Sequence, residues 1–428
     1  MGETDYYKNR AGPGTAPTGC PVDHTFSTFD ESYRKDPYGE LAKRRNKTPV
    51  FYSEKLGYLV LTKMKDIAEV FRKSDIFSAE NVQHPVTPIC DAAKEILAAE
   101  DFDVRPVLSN GTPPNHTRVR KHAQAGFSGR RIKNLEPFVR QRCETLVDEM
   151  ITNGPQINFV KAVGHPLSGE TIYRLIGFSE DDDQKIKDWS SNRLAFTWGK
   201  TTEEEQIEIA KNMLAYWRHC SAFVKQRRSE PADDFTSELL TIHKDNPDDL
   251  ALDEITSAIY GLSFAGHEIV SNLMNNSLIQ LLSKRSQWDE ICNNPNNIQK
   301  AVNEVLRIDS PQTSWRRIAM EDTVIAGFEI PAGTEIFLSL GSANHDEDLF
   351  QNPEIFDIFR KNAGANISFG RGIHFCLGQR LAILEATILL ETLVERLPSL
   401  DLIEDQTFNY SPNFTMRGPT ELWLTWSV

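Results

Sequence analysis

The sequence predicts a mostly α-helical fold with a small β part. Three observations carry that class. Apolar residues recur at helical spacing through 113–153 and 166–284. One run, 253–282, is apolar on several faces, as a long buried helix would be. The strand-like pieces are short and confined to 50–61, 323–340 and the C-terminal end. A length of 428 residues points by itself to two or three domains, yet no internal linker divides the chain. The expected organisation is a flexible arm, residues 1–22, rich in Gly, Pro and Thr, followed by one folded unit, 23–428.

Taken in order, 50–52 and 58–61 read as strands joined by a turn at Lys55-Leu56-Gly57. A helix follows over 64–73, capped by Thr62 or a neighbour. Segment 80–110 holds Pro85, Pro88 and Pro106 and is expected to be irregular, with a short helix near 92–99. The pattern from Pro113 is helical to Asn153, broken near Gly126 to Gly129. Helices continue to Lys284, with acidic loops at 179–183 and 245–249. A run such as 253–282 would be roughly 45 Å long at 1.5 Å per residue. Another helix ends near Pro311, and strands are expected at 323–325, 328–330 and 335–340, with a turn at Pro331-Ala332-Gly333. Residues 344–367 are poorly periodic, 377–397 is a helical run, and 421–426 is strand-like after Gly418-Pro419.

The charged fraction of 25% and hydrophobic fraction of 39% are ordinary for a globular protein. A net charge of −14 argues against general nucleic-acid binding. No apolar run approaches the ~20 residues a membrane span needs, and the N-terminus lacks the order of a signal peptide. A cytoplasmic location with no membrane partner is the expectation. The six cysteines are widely spaced with no CxxC, which disfavours a zinc site or a compact disulfide framework.

The most informative stretch is Phe369-Gly370-Arg371-Gly372-Ile373-His374-Phe375-Cys376-Leu377-Gly378. It sets one cysteine in a glycine-bent loop just before a helix. A thiolate there meets the free N–H groups and positive dipole end of that helix. The glycines let backbone approach a flat ligand. An arbitrary cysteine is more often a small buried hydrophobe, but the full F-x-x-G-x-x-x-C-x-G pattern shifts the balance. Here the chain resembles the cytochrome P-450 family of haem-thiolate monooxygenases, from about residue 30 to 428. The resemblance implies that family's fold, a triangular helical prism with a long central helix over the haem. It implies haem b, with Cys376 as the axial metal ligand. Phe369 would pack near the sulfur, Gly370 and Gly378 would shape the loop, and His374 would contact a haem propionate.

Other segments take on meaning from the same resemblance. Glu304 and Arg307, at i and i+3, could be an ordinary surface pair. In the family such a pair is buried and joined by a later arginine, here Arg360, in a structural role. Ala265-Gly266-His267-Glu268-Ile269 lies midway along the long helix, where Gly costs about 1 kcal/mol against Ala. Close packing would justify the glycine; the family uses the position to open the helix beside the iron, with an acid and a following threonine relaying protons. Glu268 matches the acid. Ile269 departs from the threonine and cannot hydrogen-bond, which favours leakage to hydrogen peroxide or use of H2O2 as oxidant.

His116 and Arg120, at i and i+4 in a helix opening at Pro113-Pro114, match propionate-binding residues, as does Arg317, with Arg316 as the alternative register. Read without the family, the first pair is an exposed basic helix start. Substrate-pocket candidates are Leu262, Ala265, Ile269, Ser314, Thr415 and Met416, each equally at home in an ordinary core; Phe196 and Trp198 could line an entrance. The basic clusters Arg118/Arg120/Lys121 and Arg130/Arg131/Lys133 could be solvated faces or a docking surface for an acidic electron donor.

No flavin, nicotinamide or iron–sulfur motif is present, so NAD(P)H would act only through a reductase or ferredoxin. Parts of the chain are similar to the haem domain of self-sufficient bacterial members, which carry a fused reductase. The implied activity is insertion of one atom of O2 into a small apolar substrate by hydroxylation, O-dealkylation or epoxidation. A peroxide-driven peroxygenase and a non-enzymatic haem- or ligand-binding protein are the rival readings.

Overall fold

A computed structural model describes residues 14–190 and 193–427. Its helices are α1 (Glu31–Lys35), α2 (Pro37–Lys47), α3 (Met64–Arg72), α4 (Asp91–Leu97), α5 (Asn115–Gly126), α6 (Gly129–Thr152), α7 (His165–Ile176), α8 (Asp183–Ser190) and α9 (Arg193–Trp198). They continue as α10 (Glu203–Ser229), α11 (Phe235–Asp245), α12 (Leu252–Ala265), α13 (Glu268–Leu282), α14 (Arg285–Asn293), α15 (Ile298–Ile308), α16 (Leu340–Ala343) and α17 (Gln379–Arg396). The strands are β1 (Val22–Asp23), β2 (Val50–Ser53), β3 (Tyr58–Leu61), β4 (Phe77–Ser78), β5 (Gln156–Asn158), β6 (Trp315–Ala319), β7 (Thr323–Ile325), β8 (Phe328–Ile330), β9 (Glu335–Leu338), β10 (Asp401–Leu402) and β11 (Trp423–Thr425).

Helix dominates, as the apolar spacing predicts. Caps mark the ends: Asp234 accepts from Ser237 N at α11, and Thr202 and Glu205 form a capping box at α10. The largest sheet has the order β1-β2-β3-β9-β6-β4. Its hairpin β2–β3 turns at Gly57, whose φ of 68° suits glycine. Two further sheets, β10-β11-β5 and β7-β8, complete the β part.

Several expectations are corrected. Residues 1–13 of the expected arm lie outside the described residues. Residues 14–22 are not an arm: the Tyr52 hydroxyl donates to Gly14 O, and Tyr52 N donates to Pro21 O at 2.8 Å. Cys20 is buried with Val50 and Tyr52, and β1 pairs parallel to β2, so a short apolar contact fixes the segment. The run 253–282 is two helices, α12 and α13, interrupted at Gly266 and His267. His267, with φ −96° and ψ −81°, leaves helical geometry, and only a glycine fits beside Ile172 at position 266. The cap of α3, expected at Thr62 or a neighbour, falls on the neighbour Lys63, while Thr62 donates to Pro49 O. Strand β6 went unforeseen because Arg316 and Arg317 sit at its centre and mask any β-like apolar pattern.

Three apolar clusters organise the interior. One gathers around α10 and α12, a second around α6, α13, α15 and α17, and a third beneath the largest sheet. The cavity described next is walled by elements of all three.

Candidate active site

The loop before α17 is built by its glycines. Gly370 and Gly372 adopt φ of 68° and 71°. A side chain at Gly372 would collide with the Phe71 carbonyl, so the loop can lie against the end of α3 only without one. Cys376 N donates to Phe369 O at 3.0 Å, closing the loop on itself. Gly378 then caps α17, and a Cβ built there would lie 4.0 Å from Cys376 Sγ. The Cys376 side chain has accessible surface, but the space it meets is an interior cavity. Enclosure pushes its thiol up, opposed by the N–H groups of Gly378 and Gln379 and by the charge of Arg120. A sulfur in that position takes on negative character once a metal replaces its proton.

A cationic rim faces the same cavity. Arg120 donates to the Phe375 carbonyl. Arg317 is buried, its guanidinium 5.0 Å over the Phe71 ring and donating to Arg316 O at 2.8 Å. Burial depresses its pKa, and no described carboxylate forms an ion pair with it. Arg316 instead ties β6 to the carbonyls of Val82 and His84, and of the two arginines it is Arg317 that lines the cavity. His374 Nε2 bonds Gly111 O at 2.9 Å, and its ring lies 4.1 Å from that of His116. His116 is fully buried, and among the described residues neither of its ring nitrogens has a hydrogen-bond partner. Burial, with Arg120 and Arg317 adding, pulls it down to about 4. His374 falls to about 3, first through burial and then through Arg317 and His116.

The Glu304–Arg307 pair is not a surface pair. Both side chains have no exposure, and Arg307 holds the carboxylate at 2.8 and 2.7 Å. Arg360 Nε reaches Glu304 Oε1 at 3.0 Å, and its terminal nitrogens bond the carbonyls of Gln351, Asn352 and Ile355. Arg307 adds the carbonyls of Asn344 and Pro353. The weakly periodic stretch after β9 is therefore ordered by arginine forks rather than by its own secondary structure.

Across α12 and α13 the helix break opens toward the cavity. Ala265, Gly266 and Ile269 line it, as does Leu262. A Cβ on Gly266 would come within 2.6 Å of Ile172, so packing against α7 also requires the glycine. Glu268 is not among the lining residues; burial raises its carboxyl to about 8. His267 turns the other way, against His165 and Tyr173.

The cavity has a volume of about 260 Å3, and its wall is mostly apolar. Phe369, Gly370, His374, Cys376, Gly378, Arg120 and Arg317 line it, as the sequence suggests. Ser314, Thr415 and Met416 do not. Ser314 Oγ donates to Phe414 O at 2.8 Å and Thr415 Oγ1 to Ser314 O, so these residues stitch two chain segments together. Their neighbours Gln312 and Trp315 face the cavity instead. Trp198 lines it, while Phe196 is buried elsewhere in the core. Arg193, Gln83 and Glu385 also line it, and nothing in their local sequence singles them out. Half of the two basic clusters is committed within the chain, Arg118 pairing with Glu254, Arg120 facing the cavity and Arg131 pairing with Glu238, while Lys121, Arg130 and Lys133 are exposed.

These features fit a haem. A thiol at a helix N-terminus opens onto an apolar cavity, and a buried cation and an unpartnered buried histidine stand beside it. The carboxylates of a haem would supply the acceptors that this rim lacks.

Comparison with known proteins agrees. A model of the cytochrome P-450 family matches residues 190–407. The steroid C26-monooxygenase of Rhodococcus jostii (strain RHA1) is 30% identical over 395 residues, which is 90% of this chain and 81% of that protein. Cytochrome P-450 CREJ in complex with (4-ethylphenyl) dihydrogen phosphate aligns with a TM-score of 0.91 at 38% identity, over 94% of this chain and 100% of that one. An intact type IV self-sufficient cytochrome P-450 monooxygenase aligns with a TM-score of 0.93 at 33% identity, over 97% of this chain but only 55% of that one. The chain belongs to the cytochrome P-450 family. It is a haem b-dependent monooxygenase of bacterial type.

Proposed function

We propose that this enzyme inserts one oxygen atom of O2 into a small, largely apolar aromatic or alkyl compound, by hydroxylation, O-dealkylation or epoxidation. One observation carries the reading: the Cys376 thiol and the broken α12–α13 helix share one apolar-walled cavity. Cys376 would be the axial iron ligand, its charge supported by the N–H groups of Gly378 and Gln379 and by Arg120. His116, His374, Arg120 and Arg317 would hold the propionates. When bound, the haem supplies oxygen activation, and thiolate ligation favours O–O cleavage. Ala265 and Gly266 leave room beside the helix break, and the apolar wall excludes water. Glu268, neutral at pH 7 because burial raises it to about 8, is a proton donor in waiting. Electrons would come from NAD(P)H through a ferredoxin or reductase, separate or fused; the likeness to a self-sufficient enzyme supports the fused form. The aryl phosphate held by a similar structure supports a small aromatic substrate. Among the described residues no helix is long and apolar enough to cross a membrane, and we assign the reaction to the cytoplasm.

Ile269 favours a second reading. It lines the cavity where a hydroxyl would organise proton delivery, and it offers none. Peroxide could then replace O2 and electrons. Turnover of a panel of alkylbenzenes, alkylbenzoates and alkylphenyl phosphates with NAD(P)H and a surrogate ferredoxin system, against turnover with peroxide alone, separates the two. Product only with the reduced donor supports the monooxygenase, and product only with peroxide supports the peroxygenase. No product with either, haem being bound, would point to a non-enzymatic haem protein.

A further inference from the structure

The charge lining the cavity is one-sided. Among the described residues its arginines are Arg120, Arg193 and Arg317, and its one acid is Glu385, whose pKa burial raises far above the ordinary carboxylate range. Arg120 and Arg317 share their end with His116 and His374. Arg193 belongs to a different wall. It opens α9, and its guanidinium lies 4.4 Å over the ring of Phe264, the residue before Ala265. It donates to Gln83 Oε1 at 3.3 Å. Gln83 in turn donates from Nε2 to Ser109 Oγ at 3.1 Å, which turns the amide oxygen toward the guanidinium. Arg193 is 2% exposed, yet it faces the cavity between Leu194 and Trp198 and the residues of α12.

We propose that Arg193 is a specificity residue that reads an oxyanion, a carboxylate or a phosphate monoester, on one end of an otherwise apolar aryl or alkyl substrate. The inference rests on the oxygenase reading of this cavity and names its substrate class. A guanidinium is a rigid planar fork that meets either oxyanion with two parallel hydrogen bonds. Stacking on Phe264 and the bond to Gln83 hold the fork in one orientation, so less freedom is lost on binding. An apolar wall strengthens the attraction relative to water. A site built this way discriminates strongly against an uncharged analogue of the same shape, because the analogue desolvates the cation and returns nothing. Anchoring one end also presents the other end to the reactive centre in a fixed pose.

The test is a titration of haem-loaded protein with three ligands of one skeleton: para-isopropylbenzoate, para-isopropylphenyl phosphate and uncharged para-isopropylanisole. Affinity is read from the Soret spin-state shift and, independently, by calorimetry. At least one anion should bind about tenfold or more tightly than the anisole, and the benzoate and phosphate arms identify which oxyanion fits. Arg193→Gln should abolish that preference, the anions losing affinity and the anisole binding at least as tightly as it does to wild type, and Arg193→Lys should keep part of it. An anisole that binds as well as both anions overturns the proposal, even if the variants do not fold. So does a preference that survives in haem-loaded Arg193→Gln. The two readings fail separately. Anion preference without product under any oxidant defeats the oxygenase reading alone, and oxidation of neutral compounds without anion preference defeats the Arg193 assignment alone.

Discussion

Arg360 and Glu304, 56 residues apart in sequence, meet in an ion pair at 3.0 Å whose carboxylate is fully buried and which Arg307 completes from the next helical turn. The carboxylate anchors α15, and the arginine forks hold the carbonyls of the segment leading to the Cys376 loop. Glu304→Gln leaves Arg307 buried without its counter-charge. We expect a loss of about 3–5 kcal/mol and purified protein with little haem. Denaturant midpoints and haem content measure both. A variant of wild-type stability would contradict the account.

Arg317 predicts effects of opposite sign on the two forms of the protein. It is buried with no described carboxylate beside it. Arg317→Met should therefore leave the haem-free protein as stable as wild type or more stable, by about 1 kcal/mol or more. The haem-loaded protein should release haem about tenfold faster, through loss of a charge-assisted bond to a propionate. Calorimetric melting and transfer of haem to apomyoglobin check the pair. Unchanged haem release would remove Arg317 from the propionate set.

Glu268 gives a pH dependence. Burial raises its pKa from the ordinary value to about 8. Between roughly pH 4.5 and 8 the folded state keeps a proton that the unfolded state has lost, so this group's contribution to stability falls as pH rises through that window. Glu268→Gln should thus gain stability over wild type at pH 8 and gain little at pH 4.5. A gain of about 1 kcal/mol or more at the upper end is expected. Melting temperatures across the window test it, and a gain independent of pH would contradict the buried-acid description.

Ile269→Thr restores a hydroxyl in the cavity wall. The fraction of NAD(P)H that ends in product should rise by about twofold or more, with less hydrogen peroxide released. A coupling ratio that is unchanged or lower would count against the role given to this position.

Much of the site was legible where the signal is local. The cysteine loop, the Glu304–Arg307 pair and Gly266 sit in short patterns whose glycines or charges need a reason, and each has a geometric one. Residues 14–22 and β6 were not legible. The first is pinned by hydrogen bonds from the backbone and the hydroxyl of Tyr52, and the second carries Arg316 and Arg317 in place of apolar alternation. Ser314, Thr415 and Met416 fell one step off the cavity because which face of an irregular segment turns inward depends on partners about 100 residues away. Arg193 and Gln83 left no trace in the sequence because they come together only when α9 closes over the segment after β4.

The absorption spectrum of reduced protein under carbon monoxide tests the central claim most directly. A strongly red-shifted Soret band that disappears in Cys376→Ser is the predicted result. A haemoglobin-like band in wild type, or a red-shifted band that survives Cys376→Ser, would contradict ligation by this sulfur.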